Sequence, residues 1–299
     1  MNDSSAVGVV GATSLVGGCV LRSLVAQNQR TVAFSRRERD CVDVPGVSWR
    51  KLPRVPGGYA LCEEIKDWIY LAPIWTLPEH FPMLESFGAR RVVALSSTSR
   101  FTKQFGQGSD DPAENLVAHK LKDAEEQIQT WAEVRGVGWV VLRPTLIYGL
   151  GQDKNVCEIA RFIRRFHFFP VLGEAKGLRQ PIHAEDVAQA CLSALESPIT
   201  ANRAYNIAGG EILEYTEMVS RVFEALNLPK RFLRASLFAF KLAALILRSL
   251  PSYRHMSASM VMRMNRDLVF DCSDAARDFG FDPKKFLLTN SDLPTTPLH

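Results

Sequence analysis

The sequence holds no apolar run long enough to cross a bilayer as a helix. Its most apolar stretch, residues 236–250 (SLFAFKLAALILRSL), falls short of about 20 residues and carries Lys241 and Arg248. Cysteine is sparse. The six residues Cys19, Cys41, Cys62, Cys157, Cys191 and Cys272 form no C-x-x-C pair, which argues against a structural zinc site or a redox dithiol. No metal site is expected, and scattered thiols in a chain of this size suit a reducing cytoplasm. Net charge is also low: +4 over 299 residues gives no electrostatic case for nucleic acid, and no helix-turn-helix, zinc-finger or RNP pattern supplies one. Repeats, low-complexity tracts and Gly/Ser-rich linkers are missing, so a second domain would be built from insertions packed onto the first. The opening MNDSSAVGVVGA has no basic n-region, and the expectation is a cytoplasmic protein without a signal peptide.

What remains is an ordinary globular composition, 46% apolar and 23% charged. Short apolar runs at residues 6–10, 31–34, 67–72 (DWIYLA), 91–96 (RVVALS) and 138–142 (GWVVL) alternate with helical patterns at residues 15–25, 77–87 and 113–135. Beyond Tyr148, helices are expected over residues 156–166, 184–195 and 216–226, with a short strand at 204–207. Strand–helix alternation of this kind predicts an α/β fold: a Rossmann-type doubly wound parallel sheet with a smaller mixed C-terminal substrate-binding subdomain. The expected division is a first domain over 1–150 and a second part over 151–299, with segments around 180–210 rejoining the first.

The segment VVGATSLVGG (9–18) ends a strand, turns at glycine and opens a helix, the context in which a dinucleotide fingerprint carries meaning. Gly11 permits the tight turn and Gly17 a close approach of helix to sheet. The free N–H groups and positive dipole end of the helix suit a pyrophosphate, so Thr13, Ser14, Leu15 and Val16 become candidate cofactor contacts. Ser14 stands where a middle glycine is usual; its small side chain and hydroxyl keep the site workable. An NAD site needs an acid at the end of the second strand to hold the ribose hydroxyls. Here TVAF runs into Ser35, Arg36 and Arg37, a hydroxyl and two guanidinium groups suited to a 2′-phosphate. NADP(H) is therefore the favoured cofactor and NAD(H) the alternative. A plain solvated basic loop, neutralised by Glu38 and Asp40, is the competing reading of the same residues.

The glycine turn GATSLVG, LSSTS (95–99), LRPTLIYGLG (142–151), RQPIHAEDVAQA (179–190), AYNIAGGE (204–211) and NRDLVFDCSDAARDFGFDP (265–283) occur in that order. Together they resemble the extended short-chain dehydrogenase/reductase, or NAD-dependent epimerase/dehydratase, family over nearly the whole chain. The resemblance implies hydride transfer to or from a nicotinamide, with a tyrosine as acid/base whose pKa is lowered by a lysine four residues on. It implies Ser97 as the strand-end hydroxyl that holds the substrate oxygen, with Thr98 as the alternative. Lys120 is implied as the helix lysine bonding the nicotinamide ribose, and Ala72 and Pro144 as further cofactor-lining positions. The tyrosine is missing: Leu116 precedes Lys120 by four, Ala118 precedes Lys122 by four, and no tyrosine lies between Tyr70 and Tyr148. Histidine as a residue type suits acid/base work near neutral pH, but His119 sits about 100° around the helix from Lys120. Tyr148 reads as a packing residue.

On the substrate side, the resemblance gives Arg179 as a diphosphate contact and Asn155 as a neighbour to the same phosphates. Arg179 could instead pair with Glu185 or Asp186, and Asn155 could cap the helix after it. His183 and Asp186 look structural. Arg234, Lys241 and Arg248 recur every seven residues along one helical face of the apolar run, which fits a core helix with outward basic side chains or one lying on a membrane. The favoured function is an NADP(H)-binding oxidoreductase or epimerase acting on a carbonyl or sugar-type small molecule, with nucleotide-linked sugars included. The alternative is an NADPH-binding regulatory or accessory protein that does not turn over. A homodimer fits either.

Overall fold

In a computed structural model of the protein, the structure describes residues 5–36, 46–52, 64–102, 111–235 and 262–295. The expectations placed on Arg37 and on residues 236–250 lie outside the described residues.

The core is a seven-stranded sheet. Its strands are β1 (Val7–Val10), β2 (Thr31–Ser35), β3 (Val47–Lys51), β4 (Asp67–Tyr70), β5 (Arg91–Leu95), β6 (Gly138–Pro144) and β11 (Arg203–Ile207), in the spatial order β11-β6-β5-β4-β1-β2-β3. Every pairing in it is parallel. β1 (VGVV) is buried along its whole length, as a central strand covered on both faces must be. β3 is the element the sequence reading left out. It is an edge strand, and of VSWRK only Val47 is buried, so no apolar run marks it. Chain order reverses between β1 and β4, and this switch point opens a crevice at the strands' carboxyl ends.

Helices α1 (Leu15–Ala26) and α6 (Ala184–Glu196) cover one face of the sheet. On the other lie α2 (Phe81–Ser86) and the long α4 (Pro112–Arg135), with the single-turn α3 (Ser99–Thr102) beside α4, over a core that contains Phe34, Trp68 and Phe87. The helix expected over residues 77–87 is shorter than its pattern. Pro78 starts a single 3₁₀ turn, Pro82 holds the first turn of α2, and each ring removes a backbone donor from a continuous helix. α4 is bounded as its ends dictate. Asp111 accepts from the Ala113 amide at 3.0 Å, Pro112 takes the first position, and Gly136 closes the helix with a left-handed φ of 64°.

The chain then builds a second core from α5 (Val156–Phe166), β8 (Phe169–Leu172) and α7 (Tyr215–Ala225), with Phe162, Phe169, Phe223 and Phe286 at its centre. Two-residue strands β7 (Ile147–Tyr148), β9 (Leu178–Arg179), β10 (Ile182–His183) and β12 (Leu213–Glu214) tie it to the sheet, and β13 (Phe232–Ala235) pairs with β8. Helix α8 (Ser273–Phe279) packs beside β11, where Asp278 accepts from the Tyr205 hydroxyl at 2.9 Å.

Asp292 fastens a late segment onto the middle of the fold. Its carboxylate accepts from the Leu150 amide (3.0 Å), the Thr289 amide (2.9 Å), the Thr289 hydroxyl (2.7 Å) and His183 Nε2 (3.1 Å). His183 Nδ1 accepts from the Glu185 amide at 3.2 Å and so caps α6, leaving Nε2 to carry the proton toward Asp292. Burial raises the Asp292 carboxyl, but bonds from His183, Thr289 and Leu150 outweigh it and hold the group well below the ordinary carboxylate range. The stabilisation from a depressed acid is full above its unfolded-state pKa and is lost as pH falls toward the folded one. Asp292→Asn should therefore lose about 1.5–3 kcal/mol near neutral pH, with a deficit against the wild type that shrinks below about pH 4. Thermal melts across pH check this; a deficit that does not depend on pH would refute the charge-based account.

Candidate functional site

The glycine turn lies at the end of β1. Gly11 has φ +80°, and a Cβ there would sit 2.4 Å from the Ala72 amide nitrogen. A Cβ on Gly17 would sit 2.4 Å from the Gly11 carbonyl oxygen. Both glycines are thus required by backbone contact, and together they press the start of α1 against the turn. Ser14 caps α1, its hydroxyl accepting from the Gly17 amide at 3.0 Å. Thr13 and Ser14 are exposed and Leu15 half-buried, while Val16 is buried beneath them. The amides of Leu15 and Val16, in the first helical turn, lack intrahelical acceptors and face the crevice end of the sheet. This cradle fits a pyrophosphate. Ala72 follows β4 alongside, half-buried. Ser35 closes β2 and is buried, and Arg36 beyond it is exposed with no acid at the strand end.

Beyond β5 the chain supplies hydroxyls. Ser96 is buried and donates to Glu125 at 2.5 Å. Thr98 donates to the Pro144 carbonyl at 3.1 Å, so Thr98 and the buried Pro144 occupy each other. Ser97 accepts from the Ser99 amide at 3.1 Å and keeps its own proton to give. Ser97 lines a cavity of about 350 Å³ together with Thr145, Asn155, Arg179, Arg263 and Phe270.

Arg179 is buried but pairs with neither Glu185 nor Asp186. Its guanidinium donates to the carbonyls of Leu178 (2.8 Å), Arg266 (2.7 Å) and Arg263 (2.5 Å), and lies 5.3 Å from the centre of the Tyr215 ring. Burial lowers its pKa, the sign of a cation kept from water with little countercharge. Glu185 and Asp186 serve Lys284 instead. Arg263 is the further cavity residue that the sequence reading missed; it is paired with Glu114 of α4, whose second carboxylate oxygen is buried without a partner. Asn155 does not cap α5. Asp153 does, accepting from the Asn155 amide (2.8 Å) and the Cys157 amide (3.3 Å), while the Asn155 side chain donates to the Ile147 carbonyl at 3.3 Å and borders the cavity.

The α4 residues do not converge as the family pattern would have them. Leu116, His119 and Lys120 are exposed, and none of them lines the cavity that holds Ser97. The buried side of α4 carries Glu114, Ala118, Leu121, Ala124 and Glu125, with Val117 half-buried, and no phenol. Tyr148 is no replacement. Its ring is wedged against His183 and Phe286, its hydroxyl reaches the Leu287 carbonyl at 3.4 Å, and burial pushes the phenol far above its ordinary value.

Glu125 is the other residue that sequence reasoning passed over. Its buried carboxylate takes Ser96, Arg100 and Arg143, the last at 2.6 Å through Nη2. Both guanidinium groups flank the Phe101 ring, at 5.7 and 5.3 Å. Phe101 in turn meets Phe270 of the cavity wall, centre to centre at 6.2 Å. One carboxylate therefore sets the strand end that presents Ser97 and the wall opposite it.

Comparison with known proteins follows this geometry. Residues 80–208 match the model of the NAD dependent epimerase/dehydratase family, a stretch that begins after the glycine turn. Over that stretch the chain is similar to the NAD-dependent epimerase/dehydratase family. It is 22% identical over 165 residues to a UDP-glucose 4-epimerase of Vibrio cholerae, covering 55% of this chain and 48% of that protein. It is 30% identical over 95 residues to the mitochondrial NADH dehydrogenase [ubiquinone] 1 alpha subcomplex subunit 9 of Dictyostelium discoideum, covering 30% of this chain and 26% of that one. The chain thus spans about half, or less, of the length of these curated relatives. Among solved structures, MoeE5 in complex with UDP-glucose and NAD shares the fold, with a TM-score of 0.66, 21% identity and 95% of each chain covered.

Two outcomes test the site's construction. Gly17→Val should detach α1 from the turn and lower stability, and it should abolish dinucleotide binding measured by calorimetry; unchanged binding would place the site elsewhere. Glu125→Ala leaves two guanidinium groups without their buried anion and should cost about 3–5 kcal/mol in chemical denaturation. A loss under about 1 kcal/mol would mean water replaces the carboxylate.

Proposed function

We propose that this protein is an NADP(H)-binding oxidoreductase or epimerase acting on a carbonyl or sugar-type substrate, nucleotide-linked sugars included. The observation that carries this reading is one of placement. The glycine cradle after β1 and the Ser97 cavity after β5 open at the carboxyl ends of the same parallel sheet, on its crevice side. The UDP-glucose named with both the Vibrio relative and MoeE5 supports a nucleotide-linked substrate, and the NAD bound to MoeE5 keeps NAD(H) as the alternative cofactor.

When bound, the dinucleotide supplies the hydride acceptor or donor. The chain's own residues do the rest. Gly11, Thr13, Ser14, Leu15, Val16 and Gly17 form the turn that holds the pyrophosphate, between Ala72 and the end of β2. Ser35 and Arg36, with Arg37 after them in sequence, favour a 2′-phosphate where an acid would repel it. Pro144 would border the nicotinamide end, and Lys120 would hold its ribose. Ser97 donates a hydrogen bond to the substrate oxygen, with Thr98 behind it. Arg179 and Arg263 bring positive charge to an anionic substrate group, and Asn155 adds a polar edge. With no phenol on α4, the proton for a carbonyl comes from water, from the substrate or from His119.

A second reading, a protein that holds NADPH without turnover in a regulatory or accessory role, is favoured by one observation: Leu116 and Ala118 of α4 stand four residues before Lys120 and Lys122, where the acid/base would be. The likeness to an NADH dehydrogenase subunit supports it.

Calorimetric titration with NADPH and NADH decides the cofactor. NADPH should bind more tightly, and Arg36→Ala should weaken NADPH by about tenfold while leaving NADH unchanged. Equal losses for both would defeat the 2′-phosphate assignment, and no binding of either would remove the whole reading. NADPH consumption over a panel of UDP-sugars and simple ketones then separates the two functions. Turnover that Ser97→Ala abolishes establishes the enzyme, and tight binding without any turnover favours the accessory protein.

A further inference from the structure

The corner formed by the end of α5 and the β8–β13 pair collects positive charge. Arg164 and Arg165 stand exposed in the last turn of α5. The chain turns at His167, in left-handed conformation, and enters β8 beside β13, where the Phe169 amide donates to the Arg231 carbonyl at 2.8 Å. Arg234 is exposed on β13, and the exposed Lys230 and Arg231 immediately precede it. Between the two arginines Leu233 is 54% exposed, and Phe166 and Phe168 are half-exposed at the adjoining turn.

Charge here is only partly answered. Glu224 pairs with Lys230 at 2.7 Å, and Glu174 is engaged by Lys176 at 2.8 Å. Arg164 donates to the Pro294 carbonyl, and Arg165 lies over the Phe166 ring. Among the described residues, Arg231 and Arg234 make no ion pair. In sequence, Arg234 leads within two residues into the apolar run 236–250, which bears Lys241 and Arg248 and no acid.

The geometry points to a docking surface for an anionic lipid bilayer. Arg164, Arg165, Arg231 and Arg234 meet headgroup phosphates, and Leu233 enters the interfacial layer between them. Charge complementarity selects this occupant. Several exposed guanidinium groups around an exposed leucine match a surface of phosphates over hydrocarbon, where each cation adds to the attraction. A neutral protein face would leave these cations desolvated and unpaired. The substrate cavity lies close by, since Asn265 donates to the Leu172 carbonyl of β8 at 2.8 Å and Arg263, two residues before it, lines the cavity.

Co-sedimentation of the full chain with two kinds of vesicle tests this, pure phosphatidylcholine against an equimolar mixture with phosphatidylglycerol. The protein should sediment with the mixture alone and be released by added salt. The double variant Arg231→Glu, Arg234→Glu should partition at least about tenfold more weakly, with the far-ultraviolet circular dichroism and NADPH titration of the wild type retained. That control makes the outcome independent of the cofactor assignment. Absence of binding to the mixture, equal binding to both vesicles, or full binding by the double variant would each overturn the proposal. So would retention on a heparin column without vesicle binding, which would point to a soluble polyanion.

Discussion

The fold turns on one close approach, that of Gly17 to the carbonyl of Gly11. Two backbone segments meet where no side chain fits, and this fixes the start of α1 against the end of β1. α1 then packs through Val16, Cys19, Val20 and Leu24 into the core that it shares with α6. His183 caps α6, and His183 is the point where the late Asp292 segment is fastened. A displacement of the turn by a methyl group would therefore be felt in both halves, because the helices transmit it through small, tightly packed residues such as Ala184, Ala188 and Cys191.

Buried charge does the corresponding work around the cavity. Glu125 satisfies two arginines and a serine from three separate segments, and it does so from the inward stripe of an otherwise ordinary amphipathic helix. Arg179 is handled differently: carbonyl oxygens and an aromatic face surround it, with no carboxylate within ion-pair distance among the described residues. The first arrangement is neutralised and rigid. The second keeps a net positive charge beside an open space, an electrostatic setting that suits an anion arriving from solution.

Much of this was legible in the sequence where a local pattern sufficed. The α5 helix ran over residues 156–166 as its spacing predicted, and the alternation of strands and helices gave the parallel sheet. The features that escaped notice depend on distant residues. β3 has one buried side chain, so the Pro45–Gly46 turn signal in the sequence before it has no apolar alternation to introduce. Arg179 bonds to carbonyls more than eighty positions away, which no spacing reveals. Asp153 was readable as a cap, being an acid just before an apolar helix, but Asn155 stood nearer the boundary and drew the assignment. Glu125 also left a signal, a charge on the stripe that runs through Ala118, Leu121, Ala124 and Ile128. A lone acid on a buried face asks for a cation, and Arg143 lies on the next strand.

The Asp292 clasp has a consequence for how the chain is made. The seven-stranded sheet gains β11 only after residue 207 has emerged, and β6 stays an open edge until then. His183 and the Leu150 loop wait longer still, since their partner is about 110 residues beyond the one and 140 beyond the other. Through most of synthesis the middle of the protein thus exists without its fastening. Fastening of the second core is a late event, completed from the far end of the chain inward, after the strands up to β6 have emerged around the glycine turn.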